Sequence, residues 1–309
     1  MSAKIYREYA FQPSAIKLLM CPPTYLSTDI PNNAWMLAYP PEERKVDRAK
    51  AMEQWMNLYA QMVNAGALVY LVPPKEGLQD QVYTANVCAR LHHTKNTVIV
   101  SNFRAEGRAG EATEARKILE QMGYTCWWLP YYFEGEAELR WLRENIYLGG
   151  YGVRAEKKAL ETIEKNFNCK IIKIPETEWL YHIDCRVFPI DSYTVVADES
   201  IPKDILGEIE KYAEVIKVPQ KLCEQGLTNS VRIGYTVFNA THISELKPDT
   251  KEYRWEKKKN EALEKICRDL SLELVFLNMS EFLKSGALLS CCIAFLENEG
   301  LECKPWKNG

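Results

Sequence analysis

The sequence predicts an α/β fold in which five strand-helix-strand modules close in a ring around a central channel, a fivefold pseudosymmetric α/β propeller. Three observations predict it. A short β-rich segment, usually ending in proline, occurs five times; an amphipathic helical segment precedes each copy; and further strand-like segments lie between the copies. One module is too small to bury its own helix face, whereas five modules closed in a ring bury all of them.

The predicted elements follow in a regular order. The β-rich copies cover residues 69–73, 126–130, 171–175, 215–219 and 274–278. Their helices are predicted at 46–64, 111–122, 156–167, 203–212 and 256–270. Further strands are predicted at 15–20, 97–101, 193–197, 230–237 and 288–296. Two long segments, 21–43 and 241–254, are predicted as loops, and the first is a candidate lid or binding loop.

A doubly wound sheet is the main alternative fold. Its nucleotide-binding form normally carries a glycine-rich turn after the first strand, where the backbone approaches a phosphate. Here Met20-Cys21-Pro22-Pro23 follows the first predicted strand, which disfavours that fold. We therefore expect residues 1–309 to form a single α/β propeller domain, since 309 residues with 47% hydrophobic content can bury a large core.

Composition and charge narrow the class of ligand. The net charge is -3 with interspersed signs, so no basic surface for nucleic acid is indicated. No apolar run approaches the length of a membrane span, and the first residues lack a signal-peptide pattern. The ten cysteines are scattered, with no Cys-x-x-Cys or His-x-x-x-His spacing for zinc. We expect reduced thiols, a cytoplasmic location and a small-molecule ligand, and the oligomeric state stays open.

A segment near the end of the sequence carries the candidate nucleophile. Residues 279–295 place the adjacent Cys291 and Cys292 after a small-residue loop, at the start of a predicted apolar strand. A thiol reacts as thiolate, and a loop near a histidine or a cation lowers its pKa. Ordinary buried strand cysteines are the alternative interpretation, so the candidate depends on polar partners elsewhere in the sequence.

Those partners lie beside other predicted strand ends. Alternation along residues 80–86 sends Asp80 and Asn86 to one face, although a capped turn would explain both residues equally well. Glu134, between Phe133 and Gly135, is predicted to point inward from a turn.

A third cluster contains the histidine. Alternation along 179–188 puts His182 and Asp184 on one face and Cys185 on the other, and a carboxylate near a histidine commonly fixes its tautomer. Arg104, Arg108 and Arg154 add guanidinium forks that bind carboxylates. A zwitterionic amino acid with a cationic side chain would use all of these groups.

The order and spacing of these segments resemble the guanidino-group-modifying superfamily of fivefold α/β propellers, which includes arginine deiminase, arginine dihydrolase, dimethylarginine dimethylaminohydrolase and the amidinotransferases. The resemblance spans most of the sequence. The segments that carry it are 20–23, 33–36, 78–86, 101–104, 108–111, 133–135, 150–154, 181–184 and 289–292.

The resemblance implies roles for individual residues. Cys291 corresponds to the nucleophile, His182 to the general acid and base, and Glu134 to the carboxylate that orients the histidine. Cys292 corresponds to a neighbour of the nucleophile. The implied substrate contacts are Asp80 and Asp184 for the guanidinium, Arg108 and Arg154 for the carboxylate, the Ser285 carbonyl for the amino group, and Asn86 and Asn33. Neither a metal nor an organic cofactor is implied.

The sequence departs from the family pattern at three places. Ala137-Glu138 stand where Gly-Asp is usual, Cys185 occupies a position that is commonly threonine, and Ala34 replaces a proline. The first departure leaves the role of the second acid open.

The implied reaction is hydrolysis of a guanidino C–N bond through a covalent thiouronium on Cys291, releasing ammonia or an alkylamine. Arginine dihydrolase or deiminase chemistry is favoured, because the resemblance makes an asparagine at position 86 typical of the dihydrolases. The alternatives are a dimethylarginine dimethylaminohydrolase that yields citrulline, an amidinotransferase and a non-catalytic binding protein. Citrulline and ornithine both remain open as products.

Overall fold

The computed structural model describes residues 16–191 and 193–298, which form a mixed α/β fold with five three-stranded sheets. In each sheet the central strand pairs antiparallel with one neighbour and parallel with the other. A helical crossover joins each parallel pair, as parallel pairing requires. The five-module repeat read from the sequence is therefore confirmed.

The strands are β1 Ile16–Met20, β2 Leu68–Leu71, β3 Cys88–Arg90, β4 Thr97–Val100, β5 Thr125–Trp128, β6 Leu139–Arg143, β7 Ile146–Tyr151, β8 Lys170–Pro175, β9 Val187–Asp191, β10 Thr194–Asp198, β11 Glu214–Val218, β12 Ser230–Ile233, β13 Thr236–Thr241, β14 Glu273–Asn278 and β15 Ala294–Asn298. The sheets are β15-β1-β2, β3-β4-β5, β6-β7-β8, β9-β10-β11 and β12-β13-β14.

The helices are α1 Ala34–Ala38, α2 Arg48–Asn64, α3 Ala109–Gln121, α4 Lys157–Phe167, α5 Lys203–Ile209, α6 Gln220–Glu224, α7 Lys251–Asp269 and α8 Ser280–Leu283. Short 3₁₀ turns cover Thr84–Asn86, Glu106–Arg108, Gly135–Ala137, Ile183–Cys185, Ile243–Glu245 and Ser290–Cys292. None of the helices in the described ranges has the length and hydropathy of a membrane span.

The crossover helices bury their apolar faces between consecutive sheets. Leu119 of α3 packs in one core with Leu19 of β1 and Val98 of β4, which belong to different sheets. Leu160 of α4 similarly shares a core with Ala89 of β3 and Tyr147 of β7. Each module thus completes its core with its neighbour, as the size of a single module requires.

The first sheet combines strands from opposite ends of the described chain. β15 pairs antiparallel with β1, with Leu19 opposite Ala294. The edge strands of the five sheets, β3, β6, β9, β12 and β15, all contribute residues to a polar cavity of about 300 Å³.

Several predicted elements have a different local structure. The strand predicted at 80–86 is wrong: residues 80–83 form a turn, and Thr84–Asn86 is a 3₁₀ turn. The segment 179–188 is likewise no continuous strand, because the 3₁₀ turn Ile183–Cys185 follows His182 and β9 begins only at Val187.

Other boundaries also differ from the prediction. Residues 230–237 form two antiparallel strands in place of one, and the strand predicted at 288–296 begins at Ala294, after the turn that contains Cys291. α7 begins at Lys251, inside the predicted loop. The first strand begins at Ile16; Ala15, where it was predicted to begin, lies outside the described residues.

We expect Gly135→Ala to destabilise the fold by at least about 2 kcal/mol, measured by chemical denaturation. Gly135 has φ of 64°, and a Cβ there would lie 2.6 Å from the Ala85 carbonyl oxygen and 2.7 Å from the Cys88 nitrogen. Gly207→Ala is the matched control, because no atom lies within 4 Å of its added Cβ and an alanine should stabilise α5 by about 0.5–1 kcal/mol. Equal effects of the two changes would contradict this account.

Candidate active site

The candidate site residues lie where each module turns into the edge strand of its sheet. Asn86 ends the turn before β3, Glu134 precedes the turn before β6, and His182 precedes the turn before β9. Asn229 immediately precedes β12, and Cys291 lies in the turn before β15. All five modules therefore supply a polar side chain from the same place in their topology.

Three of these side chains, those of Asn86, His182 and Cys291, line a small cavity of about 20 Å³. Seven of the predicted residues line it in all: Asn33, Asp80, Asn86, Arg108, Arg154, His182 and Cys291. Asn32, Tyr83, Tyr181 and Ala287 complete the lining. Glu134, Asp184 and Ser285 lie immediately behind it and contact lining residues, so the structure brings together all the predicted residues except Arg104.

The histidine is hydrogen-bonded to a buried carboxylate. Nε2 of His182 lies 3.0 Å from Oε2 of Glu134, and Nη1 of Arg154 donates to Oε1 of the same carboxylate at 3.3 Å. Burial raises the pKa of Glu134, but the Arg154 charge, the His182 hydrogen bond and the Arg108 charge outweigh it and lower the pKa to about 2. An ionised carboxylate only accepts hydrogen bonds, so the ring N–H of His182 donates.

Asn86 contacts the same imidazole. Its side-chain nitrogen lies 3.4 Å from Nε2 and 3.5 Å from Nδ1 of His182. Asn86 is 2% exposed, so its amide is positioned by the turn and by the histidine, away from solvent. Asp80 lies six residues earlier in the chain and lines the same cavity from the preceding turn, although the two residues do not share a strand.

The thiol of Cys291 lies beside a carboxylate. Its Sγ is 3.7 Å from Oδ2 of Asp184 and accepts a hydrogen bond from Nδ2 of Asn229 at 3.4 Å. Burial and the Asp184 charge raise the pKa of the thiol to about 12, against the opposite effects of the Asn229 hydrogen bond and the Arg140 charge. The expectation that this setting lowers the thiol pKa is wrong for the ligand-free site, where Cys291 is protonated at neutral pH.

Asp184 is held by three donors that the sequence analysis did not single out. Arg140 Nη2 donates at 3.3 Å, Asn229 Nδ2 at 2.9 Å and Ser290 Oγ at 2.6 Å, all to Oδ2. Asn229 lies before β12 in the same place that other site residues occupy before the edge strands of their sheets, so a module-by-module comparison would have found it. Arg140 lies within β6 and has no such signal.

The arginines that were predicted to bind a carboxylate contact other groups of the protein. Arg108 donates to Glu111, at 3.0 Å through Nε and 2.8 Å through Nη2, and lies 3.9 Å from Asp80. Arg154 Nη2 donates to the Asn32 carbonyl at 2.6 Å. Arg104 is exposed, stacks over the Tyr132 ring and does not line the cavity.

The segment 21–43 reaches into the site through α1. Nδ2 of Asn33 donates to the Ser285 carbonyl at 2.9 Å, and its Oδ1 caps α1 by accepting from the Met36 N–H. The carbonyl predicted to receive a substrate amino group is thus occupied by Asn33. Nδ2 of Asn32 similarly donates to Asp80 at 2.6 Å.

A second, more apolar cavity of about 40 Å³ adjoins Cys291 and His182. Trp35, Trp179 and Leu288 are among its lining residues. The two indole rings meet edge to face at 4.9 Å, and the Trp35 N–H donates to the Trp179 carbonyl at 2.9 Å. The cavity therefore places apolar walls next to the thiol.

A comparison with known proteins finds several sequence relatives. No family model matches the chain. The bifunctional arginine dihydrolase/ornithine cyclodeaminase AgrE of Nostoc sp. is 28% identical over 283 residues, covering 90% of this chain and 37% of AgrE. The N(G),N(G)-dimethylarginine dimethylaminohydrolase of Mycobacterium tuberculosis is 28% identical over 184 residues, covering 59% of this chain and 58% of the relative. The chain thus matches well under two thirds of either relative.

The fold is also found among solved structures. The N-terminal domain of ArgZ, an arginine dihydrolase from the ornithine-ammonia cycle in Cyanobacteria solved with its product, superimposes with a TM-score of 0.78. It is 24% identical, and the match covers 92% of this chain and 98% of that domain. Together with the sequence relatives, this likeness confirms that the chain resembles the guanidino-group-modifying superfamily.

Proposed function

We propose that this protein is a cysteine-dependent hydrolase that cleaves a guanidino C–N bond of arginine or an arginine derivative, with arginine dihydrolase chemistry favoured. The observation that carries the proposal is the convergence of the Cys291 thiol, the His182–Glu134 pair and the carboxylates of Asp80 and Asp184 around one cavity. The names of the sequence relatives support the same class of reaction.

The charges around the cavity suit an amino acid with a cationic end. Asp80 and Asp184 would bind the guanidinium nitrogens, Arg108 and Arg154 the α-carboxylate, and the Ser285 carbonyl the α-amino group. Because a cavity of about 20 Å³ is far smaller than arginine, segment 21–43 must first withdraw Asn32 and Asn33 from Asp80 and Ser285. That segment would therefore act as the lid.

Substrate binding supplies the charge that activates the thiol. A guanidinium beside Asp184 compensates the negative charge that raises the pKa of Cys291, so the thiolate forms when substrate is present. The sulfur then attacks the guanidinium carbon and a tetrahedral adduct forms.

His182 moves the protons of both half-reactions. Its protonated ring donates to the departing nitrogen, and the adduct collapses to a planar thiouronium on Cys291. The neutral ring then takes a proton from water, whose oxygen attacks the same carbon and expels the sulfur as thiolate. With Nε2 bonded to Glu134, Nδ1 is the nitrogen that exchanges these protons. No step requires a metal or an organic cofactor.

Asn86 favours two rounds of hydrolysis. Its neutral amide next to His182 can donate to the carbonyl oxygen of a ureido intermediate, which an aspartate would repel. Arginine would then proceed through citrulline to ornithine: two water molecules are consumed, and two ammonia molecules and one carbon dioxide are released.

Hydrolysis of an N-alkylated arginine is the second candidate function. The apolar cavity beside Cys291, lined by Trp35 and Leu288, offers space for alkyl groups on the leaving nitrogen. Methylated arginines would then yield citrulline and an alkylamine.

We also propose that the five sheets close as a propeller and that residues 1–309 form one catalytic domain. The cavity lined by edge strands of all five sheets and the cores shared by consecutive sheets support this arrangement. The nine cysteines among the described residues are all free thiols, which supports the cytoplasmic location.

Replacement of the nucleophile should abolish turnover. We expect Cys291→Ser to lower kcat by about 10³-fold or more, because a hydroxyl cannot replace the thiolate. Cys292→Ser is the matched control: that thiol is fully buried and contacts the Leu288 carbonyl, so turnover should persist. The reverse pattern in ammonia-release assays would show that the nucleophile is assigned wrongly.

Asn86→Asp should change the product. We expect the wild-type protein to convert arginine to ornithine with two ammonia molecules, and Asn86→Asp to accumulate citrulline or to lose activity on arginine. Amino-acid analysis over time, with methylated arginines in parallel, separates the two candidate functions. Accumulation of citrulline by the wild type, or turnover of methylated arginines alone, would rule out the dihydrolase.

The resting thiol should react slowly and accelerate with pH. Since its pKa is about 12, alkylation of Cys291 by iodoacetamide should rise continuously from pH 7 to 10. Asp184→Asn removes a nearby negative charge, and we expect it to lower the thiol pKa by about 1 and to raise the alkylation rate about 10-fold at pH 8.

Peptide mass spectrometry gives this experiment an internal control. Burial and the Glu111 charge raise the pKa of the Cys21 thiol to about 12, so its alkylation should not respond to the change at Asp184. An unchanged rate at Cys291 would show that Asp184 does not control this thiol.

A further inference from the structure

A pair of buried carboxyl groups lies next to the histidine and has no part in the proposed reaction. Glu138 follows the 3₁₀ turn Gly135–Ala137, and Glu176 follows β8. Oε1 of Glu138 lies 3.7 Å from Nε2 of His182. Both side-chain oxygens of Glu138 and Oε1 of Glu176 are buried without a hydrogen-bond partner within the described part of the chain.

The two carboxyl groups converge on one point. A Cβ added at Gly150 would lie 2.6 Å from Oε2 of Glu138 and 2.5 Å from Oε1 of Glu176, so both oxygens face the bare Cα of this glycine. Two carboxylates in this position would have no donor between them and would repel each other. If one of the two carboxyl groups carries a proton, its hydroxyl supplies the missing donor. One unpaired oxygen of Glu138 and one of Glu176 then take part in a hydrogen bond.

The backbone determines which of the two carries the proton. Oε2 of Glu176 accepts hydrogen bonds from the Val153 N–H at 2.8 Å and the Arg154 N–H at 3.1 Å. Such donors pair with the acceptor oxygens of a carboxylate. Within the described part of the chain, no backbone or side-chain group donates to the carboxyl oxygens of Glu138, so the proton is placed on Glu138, whose hydroxyl would donate to Oε1 of Glu176.

We propose that Glu138 and Glu176 share one proton and act as positioning residues for His182: the pair keeps a neutral carboxyl group beside the imidazole, so that Glu134 alone provides its negative charge. This inference rests on the proposed function of His182. It also gives a role to the Ala137-Glu138 departure from the family pattern, because the longer acid reaches Glu176.

The surrounding charges agree with this assignment. Burial first, and then the charge of Glu176, raise the pKa of Glu138 well above its ordinary value, and Glu134 and Asp184 raise it further. His182 is the one cationic partner within ion-pair distance of Glu138 among the described residues. Arg154 and Arg108 lie on Glu134 and keep that carboxylate ionised.

The neutrality of Glu138 matters because His182 must both give and take a proton. A second carboxylate 3.7 Å from Nε2 would stabilise the imidazolium and oppose the step in which the neutral ring deprotonates water. With Glu138 neutral, Glu134 is the carboxylate that interacts with the ring, and no second negative charge opposes the step in which His182 takes a proton from water.

Three isosteric variants test the pair, with the pKa of His182 measured by NMR titration and its signal assigned with His182→Gln. In Glu138→Gln the amide donates to ionised Glu176 as the acid does, so the His182 pKa should stay within a few tenths of the wild-type value. In Glu176→Gln the amide oxygen accepts from Val153 and Arg154, and the amide NH₂ donates to Glu138 and favours its ionisation. The His182 pKa should then rise by about 1–3.

The double variant Glu138→Gln/Glu176→Gln should restore the wild-type His182 pKa, since both groups are then neutral amides. A merely structural role predicts no such rescue. The pH profile of kcat should change in the same way as the His182 pKa. The acid limb of the profile should move to higher pH in Glu176→Gln and return to its wild-type position in the double variant. A double variant that keeps the Glu176→Gln titration, or a Glu138→Gln variant that shifts as far as Glu176→Gln, would overturn the proposal.

Infrared spectroscopy tests the pair without relying on the Glu176 variants. The wild-type protein at pH 7 should show the carbonyl stretch of a protonated carboxylic acid that is missing in Glu138→Gln, and its absence from the difference spectrum would disprove the shared proton. Neither the titration nor the spectrum uses a substrate. A protein without activity on arginine and on methylated arginines would therefore refute the proposed function and leave these measurements decisive for the pair.

Discussion

The site depends on the interaction of the buried Glu134 carboxylate with the cationic and hydrogen-bonding groups around it. A charge removed from water costs several kcal/mol unless partners compensate it, and here Arg154, Arg108 and His182 surround a side chain with no solvent exposure. These partners come from different modules, so one anion holds the polar ends of several sheets together. Because its pKa is lowered to about 2, its stabilisation is present above the ordinary pKa of 4.5 and is lost as pH falls through about 2.

The same electrostatic balance accounts for the protonated Cys291 thiol of the ligand-free protein. Asp184 and Asp80 bring negative charge to a cavity whose nearby arginines are already engaged, and the thiol responds by staying protonated. Under the function we propose, a cationic substrate would complete the charge balance and allow the sulfur to act as a nucleophile. A reactive thiol in the ligand-free protein would be exposed to oxidation, so coupling the ionisation of the thiol to the ligand would protect it.

The sequence predicted the modules more accurately than the local structure of the site. The repeated strands and helices could be predicted from hydrophobic periodicity. This periodicity is visible in the sequence because each module buries the corresponding faces of its strands and its helix. Residues 80–86 and 179–188 were misread as strands because short 3₁₀ turns also alternate polar and apolar residues. Asp80, Glu134, His182 and Cys291 were singled out by their positions beside predicted strand ends, and the family resemblance implied their roles. Asn229 could have been found by comparing the modules, whereas the contact of Arg140 with Asp184 joins two modules and is visible only in the tertiary structure.

The pairing of β15 with β1 has a consequence for biosynthesis. The first sheet cannot be completed until β15 has been translated, after β2 to β14. One edge of β1 therefore stays unpaired through most of synthesis on the ribosome. The turn that carries Cys291 immediately precedes β15 and reaches its place with that strand. Pairing of β15 with β1 and placement of Cys291 are thus one event, so a nascent chain whose first sheet is incomplete lacks the thiol that we propose as the nucleophile.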